Sequence, residues 1–269
     1  PTTPTAIIGV TDEQNFLASL AIIALTPGGA GGTVMLVPVG ALVGGQPVDQ
    51  PLRLADVYGS DGVDALKKAV EDMTNSQIDL IAVNGVDGTG ELIARAGTVS
   101  ATFASDVYDT EGDSTSVLRT TGAHDMSPIE AAAVLAARDA GANEDTRFAA
   151  VRAVWDGIAT ATANGRPGAV PATVLPDIGA QVPTDMTAFM SAFFAGPVDV
   201  WQFGAEHIDD PERNPENIDV YGYNVGEVVM VMASVAPSAM VPVFPTLSVQ
   251  VDSPYADLNV AEQGVFRLL

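Results

Sequence analysis

The stretch from Leu52 to Phe103, LRLADVYGSDGVDALKKAVEDMTNSQIDLIAVNGVDGTGELIARAGTVSATF, constrains the fold more than any other part of the chain. Val63, Leu66, Val70 and Met73 fall at helical spacing, with Asp64, Lys67, Lys68, Glu71 and Asp72 on the other faces. That spacing predicts an amphipathic helix capped at Asp61 and ending at Asn75 and Ser76. Ile78 to Val83 is an apolar run of central-strand length with Asp79 at its mouth. Gly85, Gly88 and Gly90 break the chain, Thr89 can cap a second short helix, Gly97 closes it, and Thr98 to Phe103 alternates as a strand. The rest of the chain is expected to pack onto this helix–strand–helix–strand unit.

Before it, Ala6 to Val10, Leu17 to Leu25 and Thr33 to Val39 are short Val- and Ile-rich runs, read as a strand followed by a hairpin turning at Pro27 to Gly32. After it, Ser105 to Ser116 reads as an acidic surface loop; Asp106, Asp109, Glu111 and Asp113 lack the ligand spacing of a calcium-binding EF-hand loop. Ser127-Pro128-Ile129-Glu130 is the sharpest local signal, a capping box with proline at the first helical position, opening an Ala-rich helix to about Arg138. A further helix is capped at Asn143, buries Phe148, Val151, Val154, Trp155 and Ile158, and stops at Gly165-Arg166-Pro167. Another starts at Thr184, with Met186, Phe189, Met190 and Phe193 inward. Glu206 to Asn217 reads as a long solvated loop carrying His207 among carboxylates. Val228 to Val235 reads as an apolar strand, Leu247, Val249 and Val251 as an alternating one, and Asn259 to Leu269 as the start of an amphipathic helix.

The charge balance excludes whole classes of partner. Eleven Lys and Arg face 34 Asp and Glu, a formal charge of −23, with no basic residue before Arg53 and only Arg213 and Arg267 after Arg166. A surface this negative repels nucleic acid and anionic headgroups. A hydrophobic fraction of 47% and mean hydropathy of +0.25 describe a chain with a substantial core rather than a disordered one. Without cysteine there is no disulfide, thiolate ligand or thiol nucleophile.

Recognisable catalytic motifs are missing. There is no phosphate-binding G-x-x-x-x-G-K-[ST], and Gly85, Gly88 and Gly90 have the wrong spacing for a dinucleotide fingerprint. Only His124 and His207 are available, with no G-x-S-x-G, which leaves little support for a Ser-His-Asp hydrolase.

The order of elements does carry a resemblance. A helix ending in Glu71-Asp72-Met73-Thr74, the strand at Ile78-Asp79-Leu80, a short helix, and the strand from Ala96-Gly97-Thr98-Val99 resemble the LytR–CpsA–Psr cell-envelope family over roughly the first 165 residues, more weakly to about 195. The resemblance implies transfer of a glycan polymer from a polyprenyl-pyrophosphate carrier to the wall. Arginines would hold the pyrophosphate, acidic residues Mg²⁺, and an apolar tunnel the lipid. Such chemistry needs cations at both phosphates. Residue by residue the match fails where it matters. Phe16-Leu17-Ala18 stand where the family has Arg-Ser-Asp, and Val39-Gly40-Ala41 where it has Pro-Arg-Asp. Ala136-Ala137-Arg138 replace Arg-x-Arg. In D-x-G-R-x-x-R, Glu144 and Arg147 are in place but the last Arg is Ala150, with Arg152 on another face.

The expectation is therefore an α/β fold, a central mixed sheet flanked by helices, divided into residues 1–196 and a smaller strand-containing portion at 197–269 that ends mid-element. As function we expect a non-catalytic, extracytoplasmic cell-envelope module binding an isoprenoid lipid or wall-glycan component, without a cofactor. An active Mg²⁺-dependent phosphotransferase and a purely structural domain are the alternatives. Arg138 and Arg147 are the anion-site candidates, equally readable as helix-end and ion-pair residues. Ile22, Ile23, Leu66, Val70, Leu80, Val134, Leu135, Phe148 and Val151 are the apolar-pocket candidates. The family's membrane anchor would precede residue 1.

Overall fold

The Val- and Ile-rich N-terminal runs form the middle of the sheet, where β-branched side chains pack on both faces. Residues 2–44, 50–163 and 182–241 are described in the computed structural model. In chain order they comprise β1 (Thr5–Thr11), β2 (Leu17–Leu25), β3 (Gly32–Val37), α1 (Leu54–Thr74), β4 (Leu80–Asn84), α2 (Val86–Ile93), β5 (Val99–Phe103), β6 (Val107–Glu111), β7 (Ser114–Arg119) and β8 (Gly122–Met126). α3 (Pro128–Ala136), α4 (Asp145–Ala163), α5 (Met186–Phe193), β9 (Val198–Gln202), β10 (Ala205–His207), β11 (Tyr221–Tyr223) and α6 (Val225–Val235) follow. The central sheet has the order β4-β1-β2-β3-β9. β1, β2 and β3 are antiparallel, and β4 and β9 add in parallel at the two edges. The sheet is mixed and helix-covered, the α/β class expected. β9, from beyond residue 197, is part of that sheet, whereas β10 and β11 pair separately.

Alternation along the strands divides the core in two. Ala6, Ile8, Ala21, Ile23, Val34 and Leu36 face α2 to α5 and the β5–β8 ribbon, against Val134, Leu135, Trp155, Ile158, Phe189 and Phe193. Ile7, Leu20, Ile22, Met35 and Val37 face α1 and α6, against Leu54, Leu66, Val70, Val228 and Met232. Both layers are apolar, and their burial supplies most of the driving force for folding.

Several elements depart from the sequence reading. Asp61 does not cap the first helix. α1 begins at Leu54 behind Arg53 and is broken at Gly62, whose φ of 80° only glycine adopts freely, so Asp61 sits at a kink. Ser105 to Ser116 is no simple loop, since Val107, Tyr108, Thr110, Thr115 and Val117 supply strand formers on either side of a two-residue turn at Gly112-Asp113. Val228 to Val235 is helical, not a strand. Asn224 accepts from the Glu227 amide as an N-cap, and Val228 and Met232, one helical turn apart, are the buried residues. A wholly apolar run of that length fits either element. The expected strand at Leu247 to Val251, the helix from Asn259 and the stop at Gly165-Arg166-Pro167 lie outside the described residues. Among the described residues no helix is long and apolar enough to cross a membrane.

Candidate functional site

At the ends of β2 and β3, beside the start of α4, lies a cleft of about 550 Å³ lined by Phe16, Val39, Gly40, Arg53, Asp56, Tyr58, Arg138, Asp139, Glu144, Arg147 and Asp219 among others. It gathers both anion-site candidates and, of the positions at which the chain departs from the LytR–CpsA–Psr pattern, Phe16, Leu17, Val39 and Gly40.

Each arginine is held differently. The tight turn between β1 and β2 is organised by Asp12, whose Oδ1 accepts from the Gln14 and Phe16 amides at 3.0 and 2.8 Å. Its Oδ2 accepts from Arg138 at 2.8 Å, and the Arg138 guanidinium lies 4.8 Å above the Phe16 ring. Arg138 is thus fixed by a carboxylate and an aromatic face. Arg53 forks onto Asp56 through two nitrogens at 2.8 and 2.7 Å, while the Arg53 amide donates to the same carboxylate at 3.1 Å. The pair closes the first turn of α1; the Asp56 hydrogen bond raises the Arg53 pKa, and the bonds from Arg53 hold Asp56 below the usual carboxylate range against the opposing effect of burial. Arg147 is the exception. It donates to the Leu135 carbonyl at 3.2 Å, and among the described residues no carboxylate lies within 4.0 Å of it. Burial lowers its pKa, and the attraction of Glu144 opposes that shift.

Glu144 lies at the floor of the cleft. Its Oε1 accepts from the Val39 amide at 2.8 Å and its Oε2 from the Gly40 amide at 2.7 Å. Burial nevertheless pushes its carboxyl up to about 7, against Arg147 and the two amides, with Asp219 adding repulsion. Asp219 Oδ2 accepts from the Glu144 amide at 2.7 Å and the Tyr221 hydroxyl from the Asp145 amide at 3.0 Å, so side chains from a distant segment satisfy the start of α4. Among the described residues the expected cap, Asn143, contributes only its backbone carbonyl, and the Glu144 and Asp145 amides are met from more than seventy residues away. Behind Asp219, His207 is no solvated loop residue. Its ring packs on Tyr221 at 5.3 Å, Nδ1 meets Asp209 Oδ1 at 2.5 Å, and buried Nε2 faces Asp219 Oδ1 at 3.6 Å.

The nine apolar candidates do not surround one space. Ile22, Leu66 and Val70 pack on the α1 face of the sheet, whereas Ile23, Leu80, Val134, Leu135 and Val151 pack on the other. Phe148 lies on Tyr221 at 5.4 Å and, with Val151, borders a crevice between α4 and β2–β3 that adjoins Glu144 and Arg147. That crevice measures about 20 Å³, room for a water molecule rather than an isoprenoid. Arg152 pairs with Asp156 on the exposed side of α4. The signals missed in the sequence were Arg53, Asp12 and Asp219, which are ordinary in local pattern and gain their roles only through contacts across the fold.

A Mg²⁺ ion, which the family resemblance would require for catalysis, does not fit this donor set. Ala18 and Ala41 stand where the resemblance places its acids, and the cleft carboxylates are engaged, Asp56 by Arg53, and Asp139, Glu144 and Asp219 by backbone amides. Among the described residues no three His, Asp or Glu side chains converge to hold a metal.

No protein-family model matches the sequence, and no curated protein matches it. Solved structures do match in fold. TagT bound to LIIa-WTA aligns with a TM-score of 0.59 at 13% identity, over 89% of this chain and 92% of that one. The LytR-CPS2A-psr family protein YwtF (TagT) with bound octaprenyl pyrophosphate lipid gives 0.54 at 14%, over 88% and 91%. TagV of B. subtilis gives 0.53 at 16%, over 87% and 96%. The chain has the LytR–CpsA–Psr fold over most of its length.

Proposed function

We propose that this chain is a non-catalytic cell-envelope module of LytR–CpsA–Psr fold, working outside the cytoplasm without a cofactor and binding an isoprenoid carrying a single phosphate. The observation behind this reading is the state of the cleft arginines: Arg53 and Arg138 are committed to Asp56 and Asp12, and Arg147 alone lacks a close carboxylate among the described residues. One available guanidinium matches one phosphate. Transfer from a pyrophosphate needs charge neutralised on two, and a related fold that holds octaprenyl pyrophosphate frames the comparison. The apolar edge of Phe148 and Val151 beside Arg147 offers the isoprenoid its first contacts, and the tail must widen the crevice there to enter.

The closed crevice gives one observation to a second reading, a purely structural domain. Titrating farnesyl monophosphate against the intrinsic fluorescence of Trp155 and Trp201 separates the two. Saturable micromolar binding that Arg147→Ala weakens at least tenfold supports the lipid module, and its absence supports the structural domain. Metal-dependent release of phosphate from a polyprenyl-pyrophosphate analogue, above a heat-inactivated control, would instead establish a transferase.

A further inference from the structure

Two successive backbone N–H groups, those of Val39 and Gly40, point into the cleft and converge on one carboxylate. Adjacent amides aimed at the two oxygens of one anionic group form a cradle for it, because their partial positive charges add and need no reorganisation. Arg147 opens onto the same cleft. Such a set would be expected to take an anion from solution, yet the chain fills it with its own Glu144. The fit is close: a methyl group built at Gly40 would stand 3.0 Å from Glu144 Oε2 and 2.9 Å from both the Asp219 carbonyl oxygen and the Tyr221 ring. Where the LytR–CpsA–Psr pattern has Pro-Arg, this chain has Val39, which supplies an amide that proline lacks, and Gly40, which leaves room for the internal carboxylate; where the pattern has the shorter Asp, it has Glu144.

We propose that the Val39 and Gly40 amides form a second anion subsite beside Arg147, one suited to a phosphate, and that Glu144 occupies it as a tethered competitor that turns the cleft against diphosphate headgroups. The inference rests on the isoprenoid reading for its ligand, but not for the anion site itself. A monophosphate reaches Arg147 and leaves Glu144 in place. A diphosphate needs a second cradle, and the available one already holds a negative charge. Of the charged groups facing Glu144, Arg147 attracts it and Asp219 repels it. Arg147 comes from α4 and Arg53 with its partner Asp56 from the start of α1. Asp219 lies ahead of β11, and Arg138 with Asp139 follows α3. Arg53 and Arg138 are already paired, and Asp219 adds repulsion. The Glu144 backbone is pinned by Asp219, so leaving the cradle is a side-chain rotation into the open cleft rather than a movement of α4. With its carboxyl raised to about 7, the competitor loses its charge as pH falls below neutrality and the cradle opens to other anions.

The test is calorimetric titration of the whole chain and of Glu144→Ala and Glu144→Gln with farnesyl monophosphate, farnesyl diphosphate and inorganic pyrophosphate at pH 8. The wild-type protein should prefer the monophosphate, and both variants should shift the monophosphate-to-diphosphate affinity ratio at least tenfold toward the diphosphate. They should also acquire pyrophosphate binding that a further Arg147→Ala removes. Lowering the pH to 6 should move the wild-type ratio toward that of Glu144→Gln, a comparison in which ionisation of the probe cancels. An unchanged ratio in variants that keep the wild-type circular dichroism overturns the second site while leaving the isoprenoid reading standing. Gain of pyrophosphate binding by the variants, with no isoprenyl phosphate bound by the wild type, supports the second site and rejects the lipid. If Glu144→Ala does not fold, Glu144→Gln decides, since it removes the charge while keeping the side-chain length and an oxygen for one of the two amides.

Discussion

Gly40 and Glu144 show how the cleft is specified one residue at a time. Gly40→Ala places a methyl group 2.9 Å from the Asp219 backbone oxygen, which cannot yield as a flexible side-chain end can. The expected cost is about 1–3 kcal/mol of stability, the range for overpacking a filled site. Chemical denaturation reads it, and an unchanged midpoint would mean that the turn after β3 relaxes freely. Glu144 makes stability depend on pH in a stated direction. Its folded pKa is about 7 against an ordinary 4.5, so its contribution is fully present below about pH 4.5 and is lost as pH rises through 7. A shift of that size corresponds to no more than about 3 kcal/mol. The stability of the wild type minus that of Glu144→Gln should therefore fall between pH 5 and pH 8; parallel curves would show that the carboxyl titrates normally. Neither role was legible locally. Glu144 reads as an acid suited to a helix N-terminus, and its partners at Val39 and Gly40 lie over a hundred residues away. The traces in the sequence were a glycine standing where the family pattern has arginine and Glu144 standing at the acid of D-x-G-R.

Elements with a strong local signal were readable, and those defined by tertiary contacts were not. β1, β2 and β3, and β5 after Gly97, lie within a residue or two of the expected runs, because buried strands need unbroken or alternating apolar residues. At α3 the capping box is present in full. Ser127 Oγ accepts from the Glu130 amide, and Glu130 Oε2 accepts from the Ser127 amide at 2.9 Å. The bonds that Glu130 Oε2 accepts from the Ser127 amide and the Ser127 hydroxyl hold that carboxyl below the ordinary range. Ser127→Ala should cost about 1 kcal/mol. A denaturation midpoint indistinguishable from wild type would show that Glu130 alone satisfies the helix start. α6 was misread because Val225 to Val235 has a β-branched composition, and its helical state follows from the Asn224 cap and packing on α1. The start of α1 was missed for a related reason. Arg53 is no conventional cap and works there only by forking onto Asp56.

For the molecule as a whole, the acidity visible in the sequence becomes a constraint on both ligand and solvent. A formal charge of −23 leaves few cations for any purpose, and the fold commits several of them internally: Arg53 to Asp56, Arg119 to Glu130, Arg138 to Asp12 and Arg152 to Asp156. The class of fold was legible because it depends on the order of apolar runs. The condition of the cleft was not, because pairing of charges depends on which loops meet. The surplus of negative charge predicts a response to salt. Self-repulsion destabilises the folded state, where the carboxylates are held closer together than in the open chain. Added salt shortens the screening length from about 10 Å at 0.1 M to about 3 Å at 1 M and weakens that repulsion. It weakens the ion pairs as well, but exposed pairs such as Lys68 with Asp72 contribute little, typically below about 1 kcal/mol. Repulsion should therefore dominate, and the melting temperature should rise steadily as sodium chloride is increased from 0.1 to 1 M. Thermal unfolding followed by circular dichroism measures this directly. A melting temperature that falls with salt would show that the partly buried pairs around the cleft, Arg138 with Asp12 and Arg53 with Asp56, outweigh the repulsion of the whole surface. The Asp12→Asn variant would then lose that salt dependence first.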